Sequence, residues 1–139
     1  MQVFHERRNE RSDSKREALM LQLRACARRA NVGAMVLADS EGRIIARSDR
    51  LSIAENLASF SPFFAKTKPW FGQMQVDGLS TPVAISPFRL GSSTAYLCAV
   101  GAEQRTIGPA FLQATAGIRR IMTTQAENGT AETQGRREI

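Results

Sequence analysis

Between Ser14 and Gln125 the hydrophobic periodicity changes from helical to strand-like, back to helical, then through three strand-like runs to a closing helix. That order most constrains the fold. Apolar residues three to four apart make one helix face, and alternation makes one sheet face. The sequence therefore predicts an α+β domain: a single antiparallel five-stranded sheet with helices packed on it, in the order α-β-β-α-β-β-β-α. With 139 residues the chain fits one domain.

The first helix is marked by Ser14-Lys15-Arg16-Glu17, a capping-box pattern. Leu19, Leu23, Cys26 and Ala30 follow at helical spacing, and Asn31 and Gly33 are stop signals. Residues 1–13 read as a basic disordered leader, 14–125 as the domain, and 126–139 as a polar disordered tail without periodicity. Val32–Ala38, the turn Asp39-Ser40-Glu41-Gly42 and the run RIIARS predict a hairpin, with Gly42 supplying a positive φ. Small residues on this pair (Gly33, Ala34, Ala38, Ala46) predict close helix approach. Ser52-Ile53-Ala54-Glu55 is a second capping-box pattern, and Pro62 is expected to kink or break the helix it opens. Asp77-Gly78 predicts a tight turn after a strand holding Phe71, Met74 and Val76. Pro82 and Pro87 predict an irregular or edge strand over Leu79–Leu90. Thr94–Val100 is the clearest strand, and Gly108-Pro109 opens the last helix.

Composition narrows function mainly by exclusion. No apolar run reaches the roughly 20 residues that span a bilayer, and the first residues lack the apolar stretch of a signal peptide. The expected compartment is the cytoplasm. Cys26 and Cys98 lie far apart inside apolar patterns and read as small buried hydrophobes. No metal or cofactor is expected, because no phosphate-cradling glycine motif occurs and the cysteines lack ligand spacing. The single histidine, His5, lies in the leader, away from any candidate nucleophile. Asp39, Glu41, Asp49 and Glu55 are placed as turn formers and cap partners rather than as an acid/base pair.

What remains is surface. The net charge is +6, and Met1–Ala30 holds eight basic and four acidic residues. Arg7, Arg8, Arg11, Lys15 and Arg16 are the candidate contacts to an anionic partner, although interspersed acids disfavour nucleic acid. Phe60, Phe63, Phe64, Trp70 and Phe71 concentrate aromatic residues in one short segment. They anchor a protein interface, close the core beneath a kinked helix, or line a ligand pocket with Tyr96 or Ser86 as polar contacts.

The segment VGAMVLADSEGRIIARS, with AYLCAVG and the helix TIGPAFLQATAGIRRIM, resembles the roadblock/LC7 domain family over about residues 15–125. GAF-type sensor domains look similar over the same stretch. The roadblock resemblance implies a non-enzymatic homodimer that serves as an adaptor or regulator of a Ras-like small GTPase, or scaffolds a protein complex. It also implies one continuous sheet joined through the third strands, with the second helices alongside. That places Leu57, Phe60, Phe71, Met74 and Val76 near the two-fold axis. The alternatives are a GAF-like small-molecule sensor and a basic-arm binder of nucleic acid or an anionic surface.

Overall fold

The computed structural model describes residues 2–101 and 107–123, with side chains described from Asp13 onward. Helix α1 (Gln2–Ala30) precedes strands β1 (Ala34–Ala38) and β2 (Ile44–Arg47) and helix α2 (Ala54–Phe64). Strands β3 (Trp70–Val76), β4 (Leu79–Leu90) and β5 (Ser93–Val100) follow, and helix α3 covers 107–123. The expected element order holds. The five strands form one antiparallel sheet in the spatial order β2-β1-β5-β4-β3.

Alternation along the strands sorts the core into two layers. Met35, Leu37, Ala84, Leu97 and Ala99 face α1 and α3, packing on Leu19, Leu23, Phe111, Ala114 and Ile118. Val36, Ala38, Val83, Ile85 and Cys98 face α2, packing on Ala54, Leu57 and Ala58. The two cysteines are buried on opposite faces of the sheet, so the sheet itself keeps them apart. Burial pushes the Cys98 thiol up to about 12, against a lowering contact from Ser61, so it stays neutral as a small core residue.

Four expectations about local structure are corrected. Helix α1 runs from Gln2 through the segment expected to be a leader, and Ser14 lies inside it instead of capping it. No Gly or Pro interrupts Gln2–Ala30, and Arg, Glu, Lys, Leu and Ala dominate it, so nothing local stops the helix. It ends where expected. Asn31 takes φ 57°, Val32 N–H donates to Ala27 O at 3.0 Å and Asn31 N–H to Arg28 O at 3.2 Å, which is a Schellman closure. The expected tail, 126–139, lies outside the described residues.

Ser52 does not cap α2. The N-cap is Ile53, without a side-chain bond, and the Ser52 hydroxyl donates to Asp77 Oδ1 at 3.2 Å. Pro62 does not break α2, which continues past it and ends at Phe64, within a turn of the lost N–H. Strand β4 is central and not an edge. Its prolines fit because β3 pairs only with Leu79–Ile85 and β5 only with Val83–Leu90. Pro82 and Pro87 thus both fall where one flank of β4 has no strand partner.

The β1–β2 hairpin is tied down by a buried serine that sequence reading passed over. Ser48 Oγ accepts from Met35 N–H at 2.8 Å, and Ser48 N–H donates to Met35 O at 2.9 Å. Arg24 of α1 donates to Ser48 O through Nε and a terminal nitrogen at 3.2 and 3.1 Å. Ser48→Ala strands the buried Met35 N–H, with an expected loss of about 1–3 kcal/mol, read as a lower urea midpoint.

Candidate functional site

The sheet has two edges, and they are built differently. β2 is four residues long, with Arg43 just before it and Arg47 at its end. The β1–β2 register slips between Leu37 and Ala38. Short length, charge and irregularity are how proteins blunt a sheet edge. β3 is seven residues long and carries no charged side chain.

The register shows which backbone groups β3 leaves open. Pro82 O accepts from Gly101 N–H at 2.7 Å, so Pro82 points its backbone groups toward the β5 side. Gln73 lies opposite Pro82 and therefore points its own N–H and C=O away from β4. Period-two alternation extends this to Phe71 and Gln75. Among the described residues no strand lies beyond β3, so these three residues offer the free donors and acceptors of the edge.

Side chains at this edge divide by face. Trp70, Met74 and Val76 are half-buried on the α2 face, while Phe71, Gln73 and Gln75 point to the α1/α3 face. The residues expected at a two-fold axis are thus not brought together as one patch. Leu57 is wholly buried in its own core and has no surface to offer a partner. Phe60 and Phe64, on the β3-facing flank of α2, are 43% and 44% exposed. Their rings lie 5.7 Å apart, and Phe64 stacks on Trp70 at 4.9 Å with 16° between planes. Trp70 reaches across because Gly72 has no side chain: a Cβ there would fall 2.4 Å from the indole. Sequence reading found these aromatics but not the Trp70–Gly72 fit, which carries no local signal.

The other candidates separate. Tyr96 is buried on the α2 face, whereas Ser86, opposite Leu97, shares the α1/α3 face. The sheet lies between them, so the pocket expected to use either beside the aromatics does not hold both. A groove of about 540 Å³ runs instead along β2, between Asp13, Arg16, Glu17 and Met20 of α1, with Glu55 of α2 at its side. Lys15 and Arg16 also line a neighbouring cleft with Ile44, Ile45 and Met122. Arg7, Arg8 and Arg11 fall outside the described side chains.

Asp39 is a turn former, as expected. Burial opposes its ionisation, but N–H groups of Arg43 and Glu41, each donating to Oδ1 at 2.9 Å, and the Arg43 guanidinium outweigh it. Its pKa is held below the ordinary carboxylate value. The stabilisation it contributes is present above that ordinary value and disappears as pH falls through the lowered one. Asp39→Asn is therefore expected to flatten the acid limb of a stability–pH curve below about pH 4, with little change in that slope near neutrality.

No family model matches this sequence, and no curated protein matches it. Solved structures do. Myxococcus xanthus MglB is similar at TM-score 0.58 and 13% identity, covering 78% of this chain and 90% of that one. MglB with a tetrameric arrangement is similar at TM-score 0.56 and 15% identity, covering 77% and 89%. The roadblock/LC7 domain from Streptomyces avermitillis is similar at TM-score 0.52 and 17% identity, covering 73% and 96%.

Proposed function

We propose that this chain, which has the roadblock/LC7 fold, is a non-enzymatic homodimeric adaptor or regulator acting in the cytoplasm. The observation that carries this reading is the contrast between its two sheet edges. β2 is short and flanked by charge, while β3 is long, uncharged and bordered on one side by Phe60, Phe64, Trp70 and Met74. A second copy of β3, antiparallel about a two-fold axis, would satisfy the open groups of Phe71, Gln73 and Gln75. It would also bring the second α2 over the part of β3 and β4 that the first leaves uncovered. The tetrameric arrangement of MglB supports self-association for a protein of this fold.

Such a dimer is proposed to engage a Ras-like small GTPase or to scaffold a protein complex. A regulator of this kind acts by repositioning its partner's catalytic groups and supplies none of its own. Light scattering tests the first part: a mass twice that of the protomer is expected, and a monomer at all accessible concentrations ends the proposal. Pull-down with a GTPase in its two nucleotide states tests the second, where indifference to the nucleotide argues against regulation.

A further inference from the structure

Helix α2 presents more aromatic surface than pairing along β3 uses. Its buried residues Ala54, Leu57, Ala58 and Ser61 define the sheet-facing side. Successive residues turn by about 100°, which sets Phe60 and Phe64 on the flank toward β3 and Phe63 on the side opposite the sheet. Phe63 is accordingly 73% exposed, well above its two neighbours. Two α2 helices lying side by side on a joined sheet would leave both copies of Phe63 facing outward.

Along the chain on either side of Phe63 the charge has one sign. Lys66 and Lys68 are exposed in the loop that follows α2, and from Asn56 to Val76 the sequence contains these two lysines and no acid. The hairpin turn that abuts Ser59 carries two acids, Asp39 and Glu41, which share the one guanidinium of Arg43 at 3.1 and 3.0 Å and so keep one net negative charge on that side of α2, away from the loop that holds the lysines.

We propose that Phe63, Lys66 and Lys68 form a docking surface for an anionic lipid bilayer. A ring standing out from a helix, with lysines beside it and no neighbouring carboxylate along that stretch of chain, suits a planar surface of phosphates over an apolar layer. The ring enters the headgroup boundary while the ammonium groups stay at the phosphates. No helix of the described residues is long and apolar enough to cross a membrane, so this is attachment to a surface. The chemistry of the site stands on the protomer. It rests on the dimer reading only for its doubling, which turns two weak contacts into one stronger attachment.

The test is co-sedimentation of the full chain with vesicles of phosphatidylcholine, with and without phosphatidylserine. The chain is expected to sediment with the anionic vesicles at low salt. Binding should fall steeply as the Debye length shrinks from about 30 Å at 0.01 M to about 8 Å at 0.15 M. Lys66→Glu combined with Lys68→Glu should abolish it, and Phe63→Ser should weaken it about tenfold, while Phe63→Leu retains it. All these positions are exposed, so folding and solution mass should not change. Three results overturn the proposal: no sedimentation with anionic vesicles, equal sedimentation with neutral ones, or undiminished sedimentation of the lysine-reversed chain. A monomer that still binds vesicles refutes the dimer and leaves this surface standing; a dimer that ignores them does the reverse.

Discussion

Gln73→Pro is expected to convert the proposed dimer into a folded monomer. Gln73 sits at the middle of β3, opposite Pro82, with its N–H and C=O turned to the open edge. Proline there removes no backbone bond to β4, only the exposed side-chain bond in which Gln73 Oε1 accepts from Ser80 Oγ at 2.8 Å, and an edge position whose N–H faces outward is where a strand tolerates it. In the dimer the same change removes one donor from each protomer and thrusts a ring at the partner strand. Two lost bonds at about 1 kcal/mol each, with the added steric clash, weaken association by roughly 100-fold or more.

One residue along, the outcome reverses. Met74 points its backbone groups at Thr81 of β4, so Met74→Pro breaks the protomer's own ladder and is expected to cost about 3 kcal/mol of folding stability. Light scattering separates the two variants, with far-UV circular dichroism to show which chain is folded. A Gln73→Pro chain that associates as tightly as the native one would place the interface away from β3. Met74→Asp attacks the same edge through its side chain and should also yield monomer.

Among the described glycines that sit at positive φ, Gly42 is expected to tolerate alanine least. Gly42 has φ +81°, and a Cβ there would stand 2.9 Å from Ser59 Cα and 3.0 Å from Ala58 O, both in the backbone of α2. The left-handed conformation costs about 1–2 kcal/mol for a residue with a Cβ. Forcing the helix off the hairpin adds about 1–3 kcal/mol. The sum, about 2–5 kcal/mol, is a large part of the 5–15 kcal/mol that holds a typical domain together.

Gly78 supplies the internal comparison. Its φ is +82°, but nothing lies within 4 Å of its would-be Cβ. Gly78→Ala should show the conformational cost alone, and the difference in urea midpoint between the two variants measures the contact of α2 with the hairpin. Equal midpoints would mean that α2 can shift off Gly42 without loss.

The sequence was most legible where a local rule and the global fold agree. Leu19, Leu23 and Cys26 repeat at helical spacing and all fall in the core layer under α1. Asp77-Gly78 reads as a two-residue hairpin turn, and both residues take positive φ, 50° and 82°. Reading failed where one residue pattern serves two ends. Ser52 looks like a helix cap because Glu55 follows it three residues on, yet a carboxylate distant in sequence, Asp77, takes its hydroxyl. Pro82 and Pro87 look like marks of an edge, but they are tolerated in a central strand whose two neighbours are offset along it.

The candidate site divides in the same way. Its aromatic residues and the third strand could be named from sequence, because ring content and alternation are local properties. Leu57 could not be told apart from Phe60, since both lie on one helical stripe and only packing decides which of the two the sheet covers. Phe71 and Met74 lie three apart, and the pleat sends residues an odd number apart to opposite faces.

By itself, then, the sequence determined the number, type and order of the elements and the apolar faces they must bury, since periodicity fixes both. Tertiary structure alone decided that β4 is central and β3 an edge, which backbone groups that edge exposes, and how Trp70, Gly72 and Phe64 meet. Strand order, register and the offset between neighbouring strands arise from contacts between residues far apart in the chain, and no local pattern carries them.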